Sequence, residues 1–183
     1  MNKENLLEPG GMDLGRYLEL CCTEPDAYLK RLYRATNLHL LRPRMASGMD
    51  EGSRIVTFEI NDEQECFTRP WLEGAPYAAK VDMVVGNVFE LLPPMNLSID
   101  AAFIDANKRE YTEYYELLMP FTHSGTLLMA DNTLWDGHVT DAAYDHDAQT
   151  RAIRAFNAHV AADPRVEQLI LPERDGLSLI RVV

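Results

Sequence analysis

The sequence is poor in cysteine, in basic runs, in long apolar stretches and in closely spaced glycines, and each shortage removes a class of protein. The three cysteines are Cys21, Cys22 and Cys66. An odd number with two adjacent is neither a disulfide framework nor a zinc-ligand spacing. Free thiols in a reducing compartment follow, and the expectation is a cytoplasmic protein. No run of about 18 uninterrupted apolar residues occurs, so no membrane span is expected. Residues 1–11 are polar and acidic without an apolar segment, which does not read as a signal peptide.

Positive charge is also scarce. Lys and Arg total 17 against 29 Asp and Glu, a formal net charge of −12. The densest basic group is the loose cluster Lys30, Arg31, Arg34, Arg42 and Arg44. A nucleic-acid binder needs a basic face to displace counterions from phosphates. Nucleic acid is therefore not expected as a partner, whereas an acidic surface suits capture of a divalent cation.

What is present is a chain of 183 residues, 46% hydrophobic and 25% charged. That length and balance fit one globular domain over residues 1–183. Residues 1–48 read as an N-terminal helical segment. It has helices at 13–22 and 25–38, the second marked by Pro25 in its first turn and by Leu29, Leu32, Tyr33 and Thr36 at helical spacing. Pro43 ends that pattern, and residues 44–53 read as a loop.

Residues 49–183 read as an α/β core. Strands are expected at 54–60, 80–85, 99–105 and 125–131. The first is followed by a helix capped by Asn61 or Asp62 and broken or kinked at Pro70. Further helices are expected near 87–92, at 109–118 and at 147–161. Two last strands, 166–171 and 177–182, flank PERDG and suit a hairpin. Apolar strands alternating with helices imply a mostly parallel sheet covered on both faces, with the hairpin adding an antiparallel edge.

In such a sheet, ligands bind beyond the carboxyl ends of the strands. Glu59 ends VTFE, Asp105 ends AAFID, and Asp131 and Asn132 end LLMADN. Asp105, Asp131 and Asn132 offer only oxygen, the donor set of a hard cation such as Mg²⁺, Ca²⁺ or Mn²⁺. Lys108 lies three residues past Asp105. A cation with a lysine can bind a hydroxyl and favour its ionised form, which could attack an electrophilic methyl group. Taken singly, an Asp after a strand also serves as a helix cap or turn former. Tyr111 and Tyr115 share a helical face and read as core. His39, His123, His138, His146 and His159 show no ligand spacing. The acids from Asp141 to Asp147 read as a solvated loop, and Val139 to Tyr144 as a candidate lid.

FIDANKREYTEYYELLMP followed by GTLLMADNTLWDGHV, with DAQTRAIRAFNAHVAADPRVEQLILPERDGLSLIR, resembles the cation-dependent, S-adenosylmethionine-using O-methyltransferases. That group includes the caffeoyl-CoA and catechol O-methyltransferases, and its bacterial members look closest. The resemblance is nearly continuous from Arg54 to Arg181. It implies a Rossmann-like fold, S-adenosylmethionine and a divalent cation (Mg²⁺, with Ca²⁺ or Mn²⁺ as alternatives), a small phenolic or catechol-like substrate, and a homodimer. By position it makes Asp105, Asp131 and Asn132 the metal ligands and Lys108 the catalytic lysine, with Asp105 also among the catalytic and cofactor-facing residues. Glu59 matches the acid on the cofactor ribose, and Gly86, Asn87 and Val88 the turn beside the adenine. Trp135 and Asp175 fall beside the acceptor. The family reads D-A-D-K where this chain has Asp105-Ala106-Asn107-Lys108, so one charge is lost.

A larger departure lies upstream. The family's first motif is a strand, E-x-G-x-x-x-G and a helix, with glycines where backbone must approach the cofactor. This chain has no G-x-G; MASG abuts MDEG at Gly48–Met49. Two helices and a strand, roughly 35 residues, are inferred to be absent there. The lost strand is the central one, so its absence must bring its neighbours together or leave backbone edges unpaired. Two functions follow as expectations. One is cation-assisted methyl transfer to a phenolic hydroxyl; the other is a non-catalytic remnant that binds a cation or a protein partner.

Overall fold

The structure is a computed structural model, and it describes residues 49–183. The helices expected at 13–22 and 25–38, and the start of the loop at 44–53, lie outside the described residues. Two compact units divide the chain, one ending at Val88 and the other spanning Phe89–Val183.

In the unit that ends at Val88, residues 49–53 form the expected turn. Strand β1, Ile55–Glu59, pairs in parallel with β2, Val81–Val85, from Ile55↔Val81 to Glu59↔Val85. Helix α1, Glu63–Glu73, connects them. Asn61 starts it, its Oδ1 accepting from the Glu63 N–H at 3.0 Å, while Asp62 makes no side-chain cap. Pro70 was expected to break or kink this helix, but the helix continues to Glu73. The physical reason is burial: Thr68 and Leu72 are both inside, and packing on either side of the proline outweighs one missing helical hydrogen bond.

Helix α2, Val88–Leu91, begins at the end of this unit. In the second unit, β3 (Ile99–Ile104) and β4 (Thr122–Asp131) pair in parallel, and β6 (Leu177–Val182) joins β4 antiparallel. Strand β5, Val166–Leu171, pairs with β6 and closes the order β3-β4-β6-β5. The hairpin strands match the sequence boundaries; β4 starts three residues earlier than expected, at Thr122 rather than Gly125. Helix α3, Tyr111–Leu118, follows a 3-10 turn over Lys108–Glu110. Helix α4, Ala148–Ala162, is capped by Asp147, whose Oδ2 accepts from the Thr150 N–H at 2.6 Å. It stops at Asp163, because the residue before a proline is pushed to extended backbone; Asp163 has φ −82° and ψ 115°.

The core of the second unit joins one face of α4 (Ile153, Phe156, Val160) to Tyr111, Tyr115, Leu128 and Ile180. The Tyr111 and Phe156 rings meet edge to face at 5.5 Å. Each such side chain contributes about 1.5–3 kcal/mol on burial. The expectation that Tyr111 and Tyr115 are core residues holds, at 1% and 0% exposure.

The six described strands thus form two sheets, β1-β2 and β3-β4-β6-β5. Strands β1 and β3 are end strands, each with a strand partner on one side only among the described residues. Among the described residues no helix is long and apolar enough to cross a membrane.

Candidate functional site

At the carboxyl end of the β1–β2 pair, the last register partners are Glu59 and Val85. The Gly86 N–H donates to the Glu59 carbonyl at 2.8 Å. Gly86 has φ +137°, a conformation that L side chains rarely adopt. The hydrogen bond and the turn set Glu59 beside Gly86, Asn87 and Val88. The Glu59 carboxylate accepts from the Asn61 N–H at 3.1 Å, which leaves oxygen lone pairs for a diol. A carboxylate beside a glycine turn fits the ribose and base of a nucleoside.

The second unit holds the charged constellation. Ile104 pairs with Ala130 in the parallel register. Asp105 and Asp131 therefore emerge one step on, from adjacent strand ends, and neighbouring strands lie about 4.8 Å apart. The Lys108 Nζ donates to Asp105 Oδ1 at 3.1 Å and to the Tyr111 hydroxyl. Lys108 is only 7% exposed. A lysine this enclosed requires a partner, and the carboxylate and the phenol supply it. The Tyr111 hydroxyl lies 3.0 Å from the Asp131 carbonyl and 3.3 Å from that of Ile104. It ties Lys108 to both strand ends. Burial, then the charges of Asp105 and Asp131, push the Tyr111 phenol far above its usual pKa, so it stays a neutral hydroxyl. Sequence reasoning found Asp105 and Lys108 but read Tyr111 as core only; its place three residues after Lys108 was the available signal.

Asn132 adopts φ +58°. Its N–H donates to Asp131 Oδ1 at 2.8 Å, and its Nδ2 donates to Asp175 Oδ2 at 3.3 Å. The turn that carries it is fixed from three sides. The Thr133 N–H donates to the Gly176 carbonyl at 3.0 Å, and the Leu134 N–H to the Asp175 carbonyl at 2.7 Å. Buried Ser178 donates to the Thr133 hydroxyl at 2.9 Å, and Asn157 Nδ2 to the Thr133 carbonyl at 2.7 Å. With the Asn132 amide nitrogen committed to Asp175, its oxygen is the atom left to bind a cation. Two carboxylates and an amide oxygen fit Mg²⁺ or Mn²⁺ and do not fit zinc or copper.

Beyond this turn lies an open cleft of about 460 Å³, lined among others by Trp135, Asp136, His138, Tyr144, Asp147 and Asp175. Trp135 and Asp175, expected near an acceptor, thus share one cavity. His138 and Tyr144 stack at 3.5 Å and 10°. Asp141 and Asp145 are exposed, as expected of a solvated loop, and one arginine anchors that loop. Arg154 donates to the carbonyls of His138, Val139 and Asp141 and to Asp145 Oδ1.

A second carboxylate group lies elsewhere. Ligating atoms of Glu116, His159 and Asp163 come within 4.8 Å of one another. The Arg165 guanidinium bonds both carboxylates and meets their charge, so this is an ion-pair network.

The O-methyltransferase family model matches residues 35–183. The chain is 35% identical over 148 residues to tricin synthase 2 of Oryza sativa subsp. japonica, covering 74% of this chain and 50% of that protein. It is 30% identical over 144 residues to the catechol O-methyltransferase of Niastella koreensis, covering 74% and 65%. The chain thus spans about half to two thirds of the length of these relatives. A solved O-methyltransferase of Bacillus cereus in complex with SAH shares the fold at TM-score 0.82 and 22% identity, covering 92% of this chain and 96% of that one. A match over these residues, on an α/β fold, places the chain in the O-methyltransferase family.

Proposed function

We propose that the site serves methyl transfer from S-adenosylmethionine to a phenolic or catechol-like hydroxyl, assisted by a divalent cation. The observation that carries this reading is the pairing of Asp105 and Asp131 at adjacent strand ends, with the buried Lys108 bonded to one of them. S-adenosylmethionine supplies an electrophilic methyl group, and the cation favours the ionised form of an oxygen bound to it. Asp105, Asp131 and Asn132 would hold the cation. Glu59 and the turn at Gly86, Asn87 and Val88 would hold the nucleoside of the cofactor. The charge on Lys108 Nζ, kept in place by Asp105 and Tyr111, would favour the ionised form of the hydroxyl, whose proton passes to solvent. Trp135 gives the acceptor ring a face to lie on, and Asp175 orients Asn132. The reading treats the chain as one functional domain that works as a homodimer.

A second reading, a non-catalytic remnant that binds a cation or a protein partner, rests on the missing glycine loop alone, and the family match does not favour it. The deciding experiment measures monomethylation of catechol by mass spectrometry, with and without Mg²⁺. It uses the chain itself and a form with a family-like helix–strand–glycine loop–helix inserted between Gly48 and Met49. Cation-dependent product that Lys108→Met reduces by at least about 100-fold, as expected for a positioned charge, supports the enzyme. Product formation indifferent to both chelation and Lys108→Met overturns the roles given to the cation and the lysine.

A further inference from the structure

The cleft beside Asn132 carries a charge pattern that narrows the acceptor beyond "phenolic". Its walls bring three carboxylates, Asp136, Asp147 and Asp175, around the aromatic faces of Trp135 and the stacked His138–Tyr144 pair. Among the described residues no Lys or Arg lines it. Arg154, on α4, is bonded to Asp145 Oδ1 at 2.6 Å and to three carbonyls of the loop. Two of these carboxylates already accept hydrogen bonds: Asp147 from Thr150 as a helix cap, and Asp175 from Asn132. Hydrogen bonds from the helix end hold the Asp147 carboxyl below the usual range. Aromatic faces ringed by carboxylates favour a planar ring bearing a cation and disfavour an anionic one.

From this we infer that the cleft selects acceptors whose aromatic ring bears a positively charged tail, such as a protonated amine, over carboxylated phenols and coenzyme A thioesters. The inference rests on the methyl-acceptor reading of the site. It names Asp136 as a specificity-determining residue. Asp136 is exposed at the cleft and sits at φ +54°, a conformation that asparagine also tolerates. Asp136→Asn therefore removes charge without asking the backbone to move. Asp147 and Asp175 are less suitable, since each also holds local structure.

The test is equilibrium binding to the chain in Mg²⁺, followed by calorimetry and by the fluorescence of Trp135. Three ligands share one ring: 4-ethylcatechol, 3,4-dihydroxyphenethylamine and 3,4-dihydroxyphenylpropionate. The amine should bind about tenfold more tightly than the neutral ring, or about 1.4 kcal/mol, and the carboxylate more weakly than either. The amine preference should shrink at least about threefold in Asp136→Asn and at 0.5 M salt, because the charges lie at an open cleft. Equal affinity for all three ligands, or an amine preference unchanged in Asp136→Asn, overturns the charge selectivity and leaves the phenolic reading standing. Failure of all three rings to bind overturns the phenolic reading and this inference with it.

Discussion

At the scale of single residues, the strongest inferences concern atoms whose alternatives are used up. Asn132 has its amide nitrogen on Asp175 and its backbone N–H on Asp131. Removing the Asp131 carboxylate takes away both a proposed cation ligand and the acceptor that shapes this turn. Loss of even an outer-shell partner weakens metal binding by 10–100-fold, so Asp131→Ala should weaken Mg²⁺ or Mn²⁺ binding by at least about tenfold. Calorimetric titration of both proteins checks this, and equal affinity would remove Asp131 from the cation site. Gly176 makes a different demand. A Cβ there would lie 2.5 Å from Leu134 Cγ and 2.7 Å from the Leu134 nitrogen, at φ +85°. Gly176→Ala should therefore destabilise the fold by about 1–3 kcal/mol. A urea midpoint equal to that of the parent would mean the hairpin turn does not close on Leu134. The sequence exposed Asp105, Lys108, Asp131 and Asn132 because polar residues directly after apolar strands are conspicuous. It hid Tyr111, since helical spacing reports that an aromatic is buried and not where its hydroxyl points. It hid Asp136 and Asp147 as cleft residues, because only the folded loop brings them to Trp135.

At the scale of elements, legibility followed how local the cause was. Strands β5 and β6 were readable because alternation and the turn between them are sequence-near. Pro70 does not end its helix, because the burial of Thr68 and Leu72 depends on what lies against the helix. The exposure of the acids Asp141 and Asp145 was readable, but the anchor of their loop, Arg154, was not, because it sits on α4. Arg154 supplies several charge-assisted bonds to that loop. Its loss should cost the loop roughly 2 kcal/mol, since part of the network is exposed. Amide exchange over residues 138–145 should accelerate on the order of 30-fold in Arg154→Ala. Arg154→Lys should recover little, because an ammonium cannot reproduce the planar fork. Unaltered exchange in Arg154→Ala would show that the loop holds itself.

The junction of α4 and β5 makes a pH prediction. Bonds from Arg165 first, and also from the Tyr115 hydroxyl, hold the Asp163 carboxyl far below its ordinary range. A depressed folded-state pKa gives stability that is present above the unfolded value, about 3.9, and is lost as pH falls below it. Folding free energy should therefore decline from about pH 4 downward, and Asp163→Asn should be less stable at neutral pH with a shallower acid slope. Parallel acid slopes for the two proteins in urea melts would remove Asp163 from the linkage.

At the scale of the whole molecule, the proposed cation ligands and the proposed nucleoside turn belong to two separate sheets, and both follow the Gly48–Met49 junction, where the sequence has no family-like glycine loop. Glu59 and Gly86–Val88 could grip the ribose and base, but no G-x-G lets backbone approach the methionine end of the cofactor. The chain of 183 residues should therefore bind S-adenosylmethionine weakly. A ligand at about 100 times its dissociation constant stabilises a fold by roughly 2.7 kcal/mol. In a domain of this size that raises the melting temperature on the order of 5–10 °C. Differential scanning fluorimetry should show almost none of this shift in the chain itself. A form carrying a family-like helix, strand, glycine loop and helix between Gly48 and Met49 should show it in full, because the insert supplies the loop that the methionine end of the cofactor needs. A full shift in the unaltered chain would mean the cofactor is held without a glycine loop. A repaired chain that folds, binds Mg²⁺ and still ignores S-adenosylmethionine would end the methyl-transfer reading and leave the cation-binding remnant in its place.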